Sequence, residues 1–575
     1  MKKSLDITDV ALWILAACAA AACSDDPIYV VPPPTGTDTD SDTDSDVDTD
    51  ADTDTDTEAG SWEGVGIEDA RAPDEYSVIV GFVGAPPASE AGSLAIYALD
   101  SDVGTLAVES VVYDADEHVA TLVTARQKLG ITYTLTVTPP DDGAAPLEAD
   151  FLSADMAELW VVDFASSDYE QRVFDRNAVG ENAVAYVEEG QFGDGSWAVQ
   201  NFDDEVFPTE TGLFTDPPDM DGNGKIVILG LNGGGYYGGY FDPINTYTEA
   251  QLISWGWYDY GYRTNEMELI HIAVDWGDFD SGGVVVPHEF QHLLYQERHP
   301  ENDWLDTYHN EGLAECAVRA VNGDYDQAIG YYFGDSSGMI GGGLSLVNWG
   351  YGVYENYVLA FMFWSYVASQ LDGLDTYGAI FDLDTGAPDD MEEFLVAELG
   401  TDFGATQLNQ MIAVWVQAET GAYGYNGFLD LGDQVPPHAA GGTTSLDLEP
   451  YGGTFFPLDQ ASVDYPGTQG ANIVYAGING SGAADFTAPF DVDGGALAVL
   501  NTNLFITHDY PPDEYPTEHS GPDVAASGGG KGPEGELVAP GAISLTWTDP
   551  PPAVFLHPER FAEWRAVREA QLGLR

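Results

Sequence analysis

Residues 288–292 read His-Glu-Phe-Gln-His, and this spacing constrains the chain more than any other stretch. Residues four apart on a helix share a face, so His288 and His292 can present two imidazoles to one Zn²⁺. Glu289, beside the first, can act as base toward a water held there. Pro287 suits the first position of such a helix, where its missing N–H goes unused. Val284-Val285-Val286 ahead of it reads as a short buried strand. Taken alone, five such residues also describe a solvated helix face. The continuation changes that. Eighteen residues separate His292 from Glu311, which opens a second amphipathic stretch running to Val318. A carboxylate brought back by a second helix would complete three protein ligands and leave the fourth position for water. Glu315, one turn beyond, can accept the remaining N–H of His288 or His292 and orient the ring.

The spacing, with Asn310-Glu311-Gly312 at its end, resembles the aminopeptidase-type gluzincin metallopeptidases. The wording His-Glu-Phe-Gln-His-Leu, then Asn-Glu-Gly-Leu-Ala-Glu, is more similar to the hyicolysin family of bacterial neutral metalloendopeptidases. The resemblance covers roughly residues 157–430 and is specific at 284–318. It implies an α+β zincin-like catalytic domain: a strand-bearing lobe, a helical lobe and the metal helix between them. It implies Zn²⁺ on His288, His292 and Glu311, Glu289 as base, and a protein or peptide substrate. These families carry Trp-Leu directly before Asn-Glu-Gly; here Trp304-Leu305 comes earlier and Tyr308-His309 precedes Asn310. His309 is therefore a rival ligand.

Three further expectations follow from the resemblance. Glu268–Val274, ahead of the metal helix, would be the extended edge strand that pairs with substrate backbone. Met267-Glu268 only faintly resembles the aminopeptidase signature Gly-x-Met-Glu-Asn, which favours an endopeptidase; in the aminopeptidase alternative Glu268 would hold the free amino terminus. Val353-Tyr354-Glu355-Asn356-Tyr357 resembles Tyr-Glu-Lys-Gly, making Tyr354 the donor to the transition-state oxyanion. In the plainer reading Tyr354 caps its helix and packs on Trp349, and Tyr351 and Tyr357 are near enough to take the role. A third alternative, a surface adhesin with a degenerate protease fold, is disfavoured because all three ligands and Glu289 are present.

Away from the motif, 575 residues call for several domains. With 98 acidic residues against 16 basic ones, a formal charge of −82 excludes nucleic acid and anionic membrane surfaces as partners. Residues 1–23 read as a lipoprotein-type signal: Lys2-Lys3, an apolar run from Val10 to Ala22, then Cys23 for lipidation, with Cys18 as the alternative. Secretion with nearby cleavage is the simpler reading. The expectation is a monomer at the bacterial surface, attached to the outer membrane through lipid only. Residues 24–61, rich in Thr-Asp repeats, cannot bury apolar surface and read as a disordered tether. Residues 62–150 alternate apolar and polar side chains like an immunoglobulin-like β module.

Within the catalytic domain, 157–430, the loop before Ile226 carries Asp219, Asp221 and Asn223. It reads either as the start of a Ca²⁺ loop or as an Asp/Asn/Gly turn. Gly233 to Gly239 lacks a phosphate-loop Lys and reads as an aromatic loop near the cleft. Helices are expected from Tyr354, over Asp389–Leu399 and over Thr406–Glu419. Residues 435–575 read as a β-sandwich with a loop at Ser527–Lys531 and a terminal helix, Pro558–Leu574. Cys316 reads as a packing residue, and His438, His508, His519 and His557 as surface residues.

Overall fold

The computed structural model describes residues 61–502, apart from breaks at 141–143, 165, 167, 235–237, 275–278, 280–282, 301–306, 324, 350–353, 384–387, 441–447, 459 and 464–471. The signal segment with Cys18 and Cys23, the Thr-Asp tract, Tyr236, Tyr237, Trp304, Leu305, Tyr351 and His508, His519 and His557 lie outside the described residues. So do the loop at Ser527–Lys531 and the helix expected over Pro558–Leu574.

Eight antiparallel strands come first: β1 (Gly66–Asp74), β2 (Ser77–Val83), β3 (Tyr97–Ser101), β4 (Gly104–Leu106), β5 (Val108–Asp114), β6 (Val119–Thr124), β7 (Thr132–Val137) and β8 (Leu147–Leu152). They form two four-stranded sheets, ordered β1-β2-β6-β5 and β4-β3-β7-β8. The period-2 pattern explains why: Ala120, Leu122 and Thr124 of β6 turn inward while Thr121 and Val123 do not. Val78, Val80 and Leu122 of one sheet share a core with Leu99, Leu135 and Val137 of the other.

Next come β9 (Met156–Asp163), β10 (Asp168–Val179), β11 (Ala183–Glu188), β12 (Ile226–Leu231), β13 (Gly239–Phe241) and β14 (Leu269–Ala273). They form one mixed sheet in the order β13-β14-β12-β11-β10-β9. The parallel neighbours β11, β12 and β14 are buried on both faces, which is why they read as continuous apolar runs. Val227 and Leu229 of β12 face one core, Ile226 and Ile228 the other. The expected edge strand is corrected here. β14 sits inside the sheet, and β13, antiparallel to it, forms the edge. A three-residue strand inside a glycine-rich run shows no periodicity to read.

Most of the helical part packs on the second core. Its helices are α1 (Ser196–Asn201), α2 (Phe207–Leu213), α3 (Glu249–Trp255), α4 (Val285–Arg298), α5 (Thr307–Asn322), α6 (Asp326–Gly334), α7 (Tyr354–Gln370), α8 (Asp375–Phe381), α9 (Pro388–Leu399) and α10 (Phe403–Val416). α3 instead buries Leu252 in a small separate cluster with Ile244 and Trp257. α7 buries Phe361, Phe363 and Trp364 and is apolar on nearly every side, as a central helix must be. Val284-Val285-Val286 is not a strand: the chain is helical from Val285. A short apolar run cannot be told from a buried helix start by periodicity. Pro287 is thus the third helical residue, still within the turn whose N–H groups lack intrahelical acceptors.

The last strands are β15 (Gly453–Pro457), β16 (Ser462–Val463), β17 (Ile473–Ile478), β18 (Ala484–Asp485), β19 (Phe490–Asp491) and β20 (Ala496–Asn501). The sheet β15-β20-β17-β18 buries Phe455, Ala476 and Leu500 against Leu408, Met411 and Ile412 of α10. Among the described residues, no helix is long and apolar enough to cross a membrane.

Candidate metal centre

Two helices bring the centre together. α4 carries His288 and His292 on one face, and α5 returns Glu311 to them. His288 Nε2 lies 3.2 Å from His292 Nε2 and 3.2 Å from Glu311 Oε2, and His292 Nε2 lies 3.1 Å from the same oxygen. Three atoms each bonded to a tetrahedral Zn²⁺ at ~2.0–2.1 Å would stand about 3.3 Å apart. The spacing fits such an ion. α5 can approach because residue 312 is glycine: a Cβ there would stand 2.7 Å from Ala360 Cβ and 2.8 Å from Trp364 Cδ1 of α7.

The other ring nitrogens are already engaged. His292 Nδ1–H donates to Asn310 Oδ1 at 3.0 Å, and His288 Nδ1 lies 3.3 Å from Glu315 Oε1. Both acceptors claim the Nδ1 proton, so both Nε2 atoms turn lone pairs toward each other and toward a carboxylate. A cation in their midst, or a proton on one of the imidazoles, relieves that arrangement. The electrostatics state the same demand. Burial disfavours charge on His288, but Glu311 and Glu315 outweigh it and hold its pKa well above the usual histidine value. His292 is raised as well, Glu311 again overcoming burial. Burial also works against the charge on Glu311, yet His292 and His288 hold its carboxyl down at about 2.

Glu289 is buried beside the trio. Burial lifts its carboxyl to about 7, with His288 and His292 acting in the opposite direction. The edge strand lies directly over it. A Cβ on Gly239 would stand 3.1 Å from Glu289 Cγ and 2.7 Å from the His271 carbonyl oxygen, and the Phe241 N–H donates to the Glu289 carboxylate. Gly239 ends the glycine-rich run expected near the cleft, and it does lie at the site; Phe241 was not visible as a site residue in the sequence.

Several sequence expectations shift. His309 is no rival ligand: its Nδ1 meets the Tyr295 hydroxyl at 2.9 Å and its Nε2 the Ile380 carbonyl at 3.2 Å. It braces α4 and α8 from behind. Tyr354 turns its hydroxyl to Tyr325, 3.3 Å away. Tyr357, one turn on, faces the centre instead. Its ring stands 6.0 Å from that of His288, and burial together with the Glu311, Glu289 and Glu315 carboxylates pushes its phenol pKa far up. Tyr357, not Tyr354, packs on Trp349 at 4.9 Å.

The Asp/Asn/Gly loop forms a second acidic group, but with a different third member. Asp219 and Asp221 come together with Glu268, one oxygen of each within 4.8 Å. Asn223 is committed elsewhere: its Oδ1 accepts from Lys225 N–H, and its Nδ2 donates to the Leu129 carbonyl and to Asp221. Glu268 also accepts from Met220 N–H. Cys316 is buried and unpaired as a packing residue, and His438 bonds the Pro436 carbonyl through Nδ1.

No family model matches the chain. Among curated proteins it is similar to the neutral metalloprotease ShpI of Staphylococcus hyicus, 24% identical over 253 residues. That match covers 40% of this chain and 55% of the relative, so the chain spans about half the relative's length. The similarity supports a metalloprotease, and hence a hydrolase, relationship. Two solved structures give faint matches. The S-layer protein SbsC is 16% identical over 21% of this chain and 16% of its own, with a TM-score of 0.15. The Group B Streptococcus pullulanase SAP is 9% identical over 23% of each chain, with a TM-score of 0.13. Likeness at that level carries no argument.

Proposed function

We propose that this chain is a zinc-dependent endopeptidase of the gluzincin kind, similar to the hyicolysin-type neutral proteases. The observation that carries the reading is the triangle of His288 Nε2, His292 Nε2 and Glu311 Oε2, with Glu289 beside it. A zinc ion bound there would polarise a peptide carbonyl and acidify a water at neutral pH. The protein's own part is proton transfer and positioning. Glu289, with a carboxyl near neutrality, can take a proton from water and return it to the leaving amine. Tyr357 replaces Tyr354 as the hydroxyl aimed at the developing oxyanion. β13 replaces β14 as the strand on which an extended substrate lies, because among the described residues its outer edge has no strand partner and it crosses directly over Glu289.

The endopeptidase reading is favoured over the aminopeptidase one by Glu268. The residue that would grip a free amino terminus is bound to Met220 N–H and grouped with Asp219 and Asp221 instead. The fold reading goes with this function. The mixed sheet, α4 and the helices behind it form a zincin-like catalytic domain. The two N-terminal sheets form an immunoglobulin-like module, and the C-terminal strands a β-sandwich. Export to the cell surface as a lipoprotein rests on the sequence around Cys23 alone.

The test is hydrolysis by the full chain of casein and of an aminoacyl chromogenic amide. Internal cleavage of casein that a chelator abolishes supports the reading. Release of the chromophore alone would favour the aminopeptidase, and no hydrolysis of either would remove both.

A further inference from the structure

Glu315 presents an unfinished hydrogen-bond account. Its carboxylate is 3% exposed. Oε1 stands 3.3 Å from His288 Nδ1, while Oε2 is buried and makes no close hydrogen bond among the described residues. Leaving a buried carboxylate oxygen unsatisfied is costly, so a neighbouring donor matters. The Tyr325 hydroxyl is that neighbour. It comes from the segment before α6, is 4% exposed, and its phenol is forced upward first by burial and then by the Glu315 charge. Behind it stands the Tyr354 hydroxyl at 3.3 Å, from the first residue of α7. Tyr331 packs edge-on against that ring, 4.6 Å away, and Tyr325 against Phe361 at 5.4 Å. Both phenols are therefore fixed by packing, not free to turn elsewhere.

We infer that Tyr325 and Tyr354 are a positioning pair: their hydroxyls hold the Glu315 carboxylate against His288 Nδ1, so that metal retention depends on two groups that do not touch the metal. The inference rests on the reading of His288 as a ligand. An orienting carboxylate raises the basicity of a ligating imidazole and fixes its tautomer. The pair extends that support one step outward, from the segment that leads into α6 and from the first turn of α7.

The test uses the full chain and its Tyr325→Phe, Glu315→Ala and double variants. Affinity for Co²⁺ or Zn²⁺ is measured by competition with a chromogenic chelator, beside the melting temperature of the metal-free protein. Tyr325→Phe is expected to weaken metal binding about 10–100-fold and, because it strips the buried Glu315 carboxylate of a donor, to lower the metal-free melting temperature modestly. In the Glu315→Ala background it should add nothing. Tyr354→Phe, farther out and milder, gives the same comparison should Tyr325→Phe fold poorly. Equal weakening with and without Glu315 would show that the hydroxyl does not act through that carboxylate. Unchanged affinity would reduce the pair to packing. A wild-type chain that takes up no metal would remove the metal-centre reading itself.

Discussion

Gly312 of α5 lies against Trp364 of α7 with no room for a side chain: a Cβ would stand 2.8 Å from Trp364 Cδ1. Glu311 immediately precedes it, so the depth of the carboxylate is set by this contact. Gly312→Ala should push α5 outward and destabilise the fold by ~1–3 kcal/mol, the usual cost of overpacking. It should also weaken zinc binding. A variant with wild-type melting temperature and wild-type zinc affinity would show that the helices tolerate the methyl group and that this contact does not set the site.

Glu289 is beside the triangle but not part of it. Glu289→Gln should retain zinc at full occupancy and lose casein hydrolysis. Metal analysis and activity on the same preparation decide this, and zinc loss in the variant would make Glu289 a ligand.

Tyr354 and Tyr357, at the start of α7, make opposite predictions. Tyr357→Phe removes the hydroxyl that faces Glu289 and Glu311, and kcat should fall ~10²–10³-fold, as when one oxyanion donor is lost. Tyr354→Phe, assayed with zinc in excess, should keep kcat within about twofold. The reverse pattern would restore Tyr354 to the role its sequence context suggests.

The sequence context singles out Tyr354, whereas the structure turns Tyr357 toward the centre. His288, His292 and Glu311 were legible because fixed spacing on a helix is a property of sequence. Tyr354 and Tyr357 sit three residues apart at the start of one helix, and the choice between them depends on how α7 is rotated against α4 and α5. That rotation is set by Gly312, Ala360 and Trp364, contacts between segments far apart in the chain. The same holds for Asn310 and Gly239: one is an ordinary polar residue, the other one glycine in a run of them, until the fold brings His292 and Glu289 to them. Val284–Val286 failed for a local reason, since three apolar residues carry no period.

The second acidic group makes a pH prediction. Burial raises Glu268 to about 7 and Asp221 to about 6, above the ordinary carboxyl values of 4.5 and 3.8. A group whose pKa is raised by folding stabilises the fold at low pH, and the contribution fades as pH rises through the folded value. Glu268→Gln removes one such titration. Its melting temperature should therefore gain on that of wild type between about pH 5 and about pH 8. A constant difference across that range would show that Glu268 does not titrate there.

The central claim is that His288, His292 and Glu311 hold one metal ion. Equilibrium zinc titration of the full chain, beside its Glu311→Ala variant, tests it most directly. The structure predicts one tight equivalent in the wild type and loss of that equivalent in the variant. A wild-type chain that binds no zinc, or a variant that keeps its full occupancy, would contradict it.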